Sequence, residues 1–126
     1  MSGALTPEAA LAALGKAWDR LDVEQLVAVF ADDAVVVDPL LPRDARGRDD
    51  IRELYTGSMA ELSECRVTLT NVLTSGDLGM AEGRFESALA ADGGRMDFDF
   101  AMTVELRDGR VARLAEYYDT RPLLPA

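Results

Sequence analysis

A chain of 126 residues fits one domain, 1–126, and its 48% apolar and 29% charged content is that of an ordinary soluble globular protein. A formal net charge of −10 repels phosphate backbones and anionic lipid surfaces, which argues against nucleic-acid and membrane partners. Histidine is absent, so Ser-His-Asp and Cys-His catalysis, His-ligated metals and an imidazole base are excluded. Acid–base work is left to Asp, Glu, Tyr or Lys16, the only lysine. Cys65 stands alone, which excludes an internal disulfide and fits a reducing, cytoplasmic setting. Pro7 and Glu8 interrupt the apolar N-terminus with no basic region before them, so no signal peptide is expected. No apolar run approaches the ~20 residues of a membrane span.

Thr6-Pro7-Glu8 predicts a helix start: a capping hydroxyl, proline at the first helical position and an acid in the first turn. Leu11, Leu14, Trp18 and Leu21 then follow helical spacing on one face. Asp22 and Gln25 resemble a capping box for a second helix, with Leu26, Val29 and Phe30 on its buried side. Asp32-Asp33 reads as the turn that ends it. Ala34 to Asp38 reads as a short strand, and Pro39 to Arg46 as a loop. A third helix begins near Gly47, with Ile51, Leu54, Tyr55, Ser58, Met59 and Leu62 on one face.

After that helix the periodicity switches to two. Val67, Leu69 and Leu73 alternate with polar residues, and Ser75-Gly76-Asp77 turns the chain. A strand follows from about Gly79 to Leu89, and Asp92-Gly93-Gly94 turns again. Phe98, Phe100, Met102, Val104 and Leu106 then share a face, opposite Asp97, Asp99 and Glu105. Arg107-Asp108-Gly109-Arg110 is a tight hairpin leading to a last strand, Val111 to Tyr118. Three helices, a short strand after the second, and four long strands predict an α+β fold. Its curved antiparallel, cone-shaped sheet packs against three N-terminal helices around an apolar pocket. A second copy is expected on the long sheet face, giving a homodimer.

Asp38 is the candidate with the most chemistry. A carboxylate leaving an apolar strand before proline can sit out of water and carry protons, or it can simply form a turn. Glu116 alternates with Leu114 and Tyr118, so it reads equally as an inward acid or an exposed strand residue. Arg84 and Glu86 read first as an outer-face pair, with Phe85 between them as the inward residue. Tyr55 and Trp18 lie on apolar stripes and read as core first and pocket second. Glu64 reads as a solvated charge, and Asp97 with Asp99 as solvated or dimer-facing rather than metal ligands.

Leu26 to Ala34, then Val37-Asp38-Pro39, Gly47 and Ile51-Arg52-Glu53-Leu54-Tyr55, resemble the nuclear transport factor 2-like (cystatin-like) superfamily over nearly the whole chain. The nearest branch is that of the ketosteroid isomerases and SnoaL-like polyketide cyclases. The resemblance implies a cofactor-free enzyme with Asp38 as general base. It would act on a hydrophobic polyketide, terpenoid or steroid-like molecule, by isomerisation or cyclisation. It puts Tyr55 in the pocket, turns Leu114, Glu116 and Tyr118 toward it, and makes Glu116 the acid or polarising partner. At the positions of the isomerase oxyanion donors this chain has Leu14 and Met102, which cannot donate. The limonene epoxide hydrolases imply an alternative acid–Arg–acid set of Arg84, Glu86 and Glu116. Trp18, Tyr55, Arg84, Glu86, Met102, Leu114 and Tyr118 are therefore the expected substrate-binding residues. A third reading is a non-catalytic ligand-binding or dimerisation module. It expects a small or charged cavity and no carboxylate with a strongly raised pKa.

Overall fold

The computed structural model describes residues 4–123. Helix α1 spans Pro7–Asp19, and Thr6 Oγ1 accepts from the Ala9 amide at 3.2 Å, so the expected cap forms. Helix α2 spans Val23–Val27, and Asp22 Oδ1 accepts from the Gln25 amide at 3.0 Å. Only this half of the capping box forms, because Gln25 Oε1 accepts from the Arg20 guanidinium instead.

Helix α2 ends sooner than the sequence suggests. Strand β1 runs Phe30–Val37, so Phe30 belongs to the strand and Asp32-Asp33 is not a helix-ending turn. Both aspartates lie on the solvent side of β1, where its register shifts, and they pair with Arg48 and Arg107. The loop after Asp38 closes on a second short strand, β2, Ala45–Arg46, which pairs antiparallel with Val35 and Val36. Helix α3 follows at Gly47–Ala60 and buries Ile51, Tyr55 and Met59.

The remaining strands are β3 (Leu62–Ser75), β4 (Leu78–Leu89), β5 (Phe98–Arg107) and β6 (Arg110–Tyr118), in a sheet of order β2-β1-β6-β5-β4-β3. All neighbours are antiparallel except β1 and β6, which run parallel. The β5–β6 turn places Asp108 and Gly109 at φ of 53° and 74°, both left-handed, as a two-residue hairpin requires. The helices cover one face of the sheet, and Leu11, Leu26, Phe30, Ile51, Val104 and Leu114 form the fully buried centre between them.

Gly83 positions the pocket wall. It lies opposite Phe100, and a Cβ there would stand 2.6 Å from the Phe100 ring and 2.5 Å from the Thr68 carbonyl oxygen. Gly83→Ala is expected to lower unfolding stability by about 1–3 kcal/mol, measured by urea titration, because backbone must move to admit the methyl.

Candidate functional site

Register brings the two principal carboxyls together. Val36 pairs with Leu114 across the parallel β1–β6 ladder. Two residues further along each strand, on the same face, stand Asp38 and Glu116. Glu116 in turn pairs with Met102, and Tyr118 with Phe100, on the antiparallel side. A row of cross-strand neighbours thus sets both acids beside Met102, with Tyr118 and Phe100 in the next row.

Hydrogen bonds hold the set. Asp38 Oδ1 accepts from the Tyr118 hydroxyl at 2.7 Å and from the Leu40 amide at 2.9 Å. The second bond is the turn suggested by Asp-Pro, and Leu41 N also donates to the Asp38 carbonyl at 3.1 Å. Asp38 is therefore a turn residue and a cavity residue at once. Glu116 Oε1 accepts from the Tyr55 hydroxyl at 3.1 Å, and its carboxyl is also hydrogen-bonded to that of Asp38. The result is a chain of four groups, Tyr55–Glu116–Asp38–Tyr118.

These groups line one cavity of about 240 Å³. Leu14, Trp18, Met102, Leu114 and Phe85 contribute its walls, with Leu40, Leu41 and Leu123 nearer the chain's turns. The rings of Trp18, Tyr55, Phe85, Phe98 and Tyr118 make a continuous series with centroids 4.7–5.6 Å apart. Burial, followed by the hydrogen bond and negative charge of Asp38, pushes the pKa of Glu116 well above the ordinary carboxylate range; Tyr55's donated bond opposes this. Burial first, then the neighbouring carboxylates, also raises Tyr55 and Tyr118, so both hydroxyls stay protonated.

The shift on Glu116 has a stability consequence. The folded state holds its proton more tightly than the unfolded chain, whose glutamates titrate near 4.5. The associated stability is complete below that value and is lost as pH rises through the folded value. Glu116→Gln, permanently neutral, is expected to flatten this loss as pH rises above the unfolded value, seen as a smaller fall of the thermal midpoint with pH.

Arg84 and Glu86 are a correction. They alternate with the cavity-lining Phe85, so strand geometry sends them to the opposite, outer face. Arg84 pairs there with Asp99 at 3.1 Å. The set Arg84, Glu86 and Glu116 is not assembled, because only Glu116 faces inward. Glu64 pairs with Arg95, and Asp97 accepts from the Ser87 amide as well as from Arg95. Among the described residues no group of His, Cys, Asp and Glu could hold a metal ion. Burial, then the charge of Asp19, pushes the Cys65 thiol up to about 12, which makes it a poor nucleophile. The two tyrosine bonds to the acids and the inward Phe98 and Phe100 were not singled out as site features from sequence. The period-2 pattern of β5 was the available signal for the phenylalanines; nothing local announces the tyrosine bonds.

A SnoaL-like domain model matches residues 11–114. The chain belongs to the SnoaL-like family. No curated protein matches it significantly. A ketosteroid isomerase-like protein from Catenulispora acidiphila, solved with trimethylamine, is 23% identical at TM-score 0.80, covering 90% of this chain and 87% of its own. IdmH from Streptomyces antibioticus, proposed to be a polyketide cyclase, is 21% identical at TM-score 0.77, covering 90% and 92%. An epoxide hydrolase of limonene epoxide hydrolase-like type from Mycobacterium tuberculosis is 20% identical at TM-score 0.74, covering 88% and 80%. At these identities the likeness carries the fold, with its three helices and curved, unclosed sheet. Among the described residues no helix is long and apolar enough to cross a membrane.

Proposed function

We propose that this SnoaL-like domain is a cofactor-independent enzyme that moves a proton on a hydrophobic carbonyl compound, giving isomerisation or cyclisation. The observation that carries the reading is the Asp38–Glu116 pair, hydrogen-bonded to each other at the polar end of an apolar cavity. One proton shared by two carboxyls makes an acid and a base side by side. Asp38, held by two donors, is the carboxylate that accepts a proton from the carbon beside the carbonyl. Glu116 gives its proton to the carbonyl oxygen, so that the C–H electrons form the enol double bond. The proton gained by Asp38 can then pass across the hydrogen bond to Glu116. The substrate continues to the isomer or closes a ring.

Glu116 would thereby supply the donor that Leu14 and Met102 cannot. A cavity of this size and a carboxyl whose pKa burial raises well above the ordinary range both favour an enzyme over a filled, non-catalytic module. The test is hydrogen–deuterium exchange at the α-carbon of cyclic ketones in heavy water, followed by proton NMR. Exchange by the native protein, absent in the Asp38→Asn/Glu116→Gln double variant, is expected. A ketone panel spanning one to three rings that shows no exchange above buffer would overturn the reading.

The sheet's outer face supports a homodimer as the working form. Leu73, Leu78 and Met80 lie together there at 68%, 54% and 43% exposure. Leu78→Asp is expected to convert a dimer to a monomer in sedimentation equilibrium. A native protein already monomeric at tens of micromolar would refute the dimer.

A further inference from the structure

We infer that the group recognised at the polar end of the cavity is an uncharged hydroxyl that donates to Asp38 and accepts from Glu116. This deepens the proposed function and rests on its assignment of Asp38 and Glu116 as the site.

The inference comes from accounting for every polar group that faces the cavity. Helix α1 lines it with Leu14, Gly15 and Trp18, whose indole N–H is the helix's single side-chain donor there. Helix α3 supplies Tyr55 and Ser58, with Glu61 just beyond its end; β6 supplies Glu116 and Tyr118; the corner after β1 supplies Asp38. The hydroxyl protons are already committed. Tyr55 donates to Glu116, Tyr118 to Asp38, and Ser58 to the Leu54 carbonyl at 3.1 Å. The Leu40 amide is likewise spent on Asp38. Among the described residues no lysine or arginine lines the cavity.

Where the two tyrosines converge stands the carboxyl pair itself: lone pairs of a carboxylate and one acidic proton, which an inserted ligand takes over from the Glu116–Asp38 bond. A carboxylate can only accept and a protonated carboxyl can donate, so the complement is an atom that does both at once. A hydroxyl does. An ammonium has no lone pair to accept with, an ether has no proton to donate, and an anion meets two acids with Glu61 nearby. The walls set the rest of the ligand: six of the chain's eight aromatic residues line this cavity, which suits a compact ring system.

The prediction separates cleanly with isosteric probes on one ring: 2-indanol, 2-methoxyindane, indane-2-carboxylate and 2-aminoindane, titrated at pH 7 against the full chain by amide NMR. The alcohol is expected to bind at least about tenfold more tightly than the ether, a typical worth for hydrogen bonds to a charged group. The carboxylate should not bind where the alcohol saturates. Asp38→Asn and Glu116→Gln should each abolish most of the alcohol–ether difference. Glu82→Gln, on the outer face, should leave it intact, which separates the site from the overall charge. Circular dichroism checks that each variant is folded. Equal binding of alcohol and ether, tighter binding of the carboxylate, or tighter binding of the ammonium overturns the inference. No turnover is needed, so α-carbon exchange without alcohol preference would refute the hydroxyl inference alone. Alcohol preference without exchange would refute the proton-transfer reading instead.

Discussion

Asp38→Asn is expected to lower the rate of α-carbon proton exchange by about 10²–10⁴-fold, the usual worth of a positioned general base. The substitution keeps the side chain's size and its oxygen acceptor, so the bonds from Tyr118 and the Leu40 amide can persist. Stability should therefore change little while the base is lost. A second readout separates lost chemistry from lost architecture. The negative charge of Asp38 is one of the causes that raise the pKa of Glu116, and the hydrogen bond between them is another. Removing the charge should move the Glu116 titration toward ordinary carboxylate values, visible by carboxyl carbon-13 NMR. An unchanged Glu116 titration would mean that the two groups do not share a proton. Full exchange activity in the variant would remove Asp38 from the mechanism whatever the titration shows.

Phe30→Ala is expected to be the most damaging single truncation for stability, at about 3–5 kcal/mol. Phe30 is 0% exposed and the largest of the fully buried side chains. It also sits where β1 begins, paired with Val111 of β6, and its carbonyl accepts from Arg48 Nε at 3.0 Å. Losing the ring leaves a void beneath the strand that carries Asp38. Against a typical total of about 5–15 kcal/mol, such a loss should shift the urea midpoint substantially. A loss below about 1 kcal/mol would show that the core closes around the gap and that Phe30 is not its anchor.

The helix caps, the two-residue hairpin turn and the alternation of β5 were legible because each depends on neighbours within a few residues. Thr6 caps through Ala9, and Asp108-Gly109 turns through its own backbone angles. Asp32-Asp33 was misread for the same reason. Two acids after a short helix look like a stop, but distant Arg48 and Arg107 and the β1 ladder hold them in a strand. The parallel pairing of β1 with β6 joins residues far apart in the chain, and no local pattern specifies it. Arg84 and Glu86 show the converse. Strand alternation already allowed them the outer face, and the inward Phe85 is what decided it.

By itself the sequence determined which chemistries were open. Without histidine or a basic surplus, it left carboxylates and tyrosines as the acid–base groups, and it placed Asp38 at a strand end and Glu116 on an alternating strand. It could not determine that these two carboxyls meet. That depends on the Val36–Leu114 register, in which a slip of one residue would turn Glu116 to the opposite face. Nor could it show that Tyr118 and Tyr55 spend their protons on the pair, since those bonds span 80 and 61 residues. Composition and periodicity act locally, whereas proton sharing between Asp38 and Glu116 requires two strand ends placed side by side at one cavity.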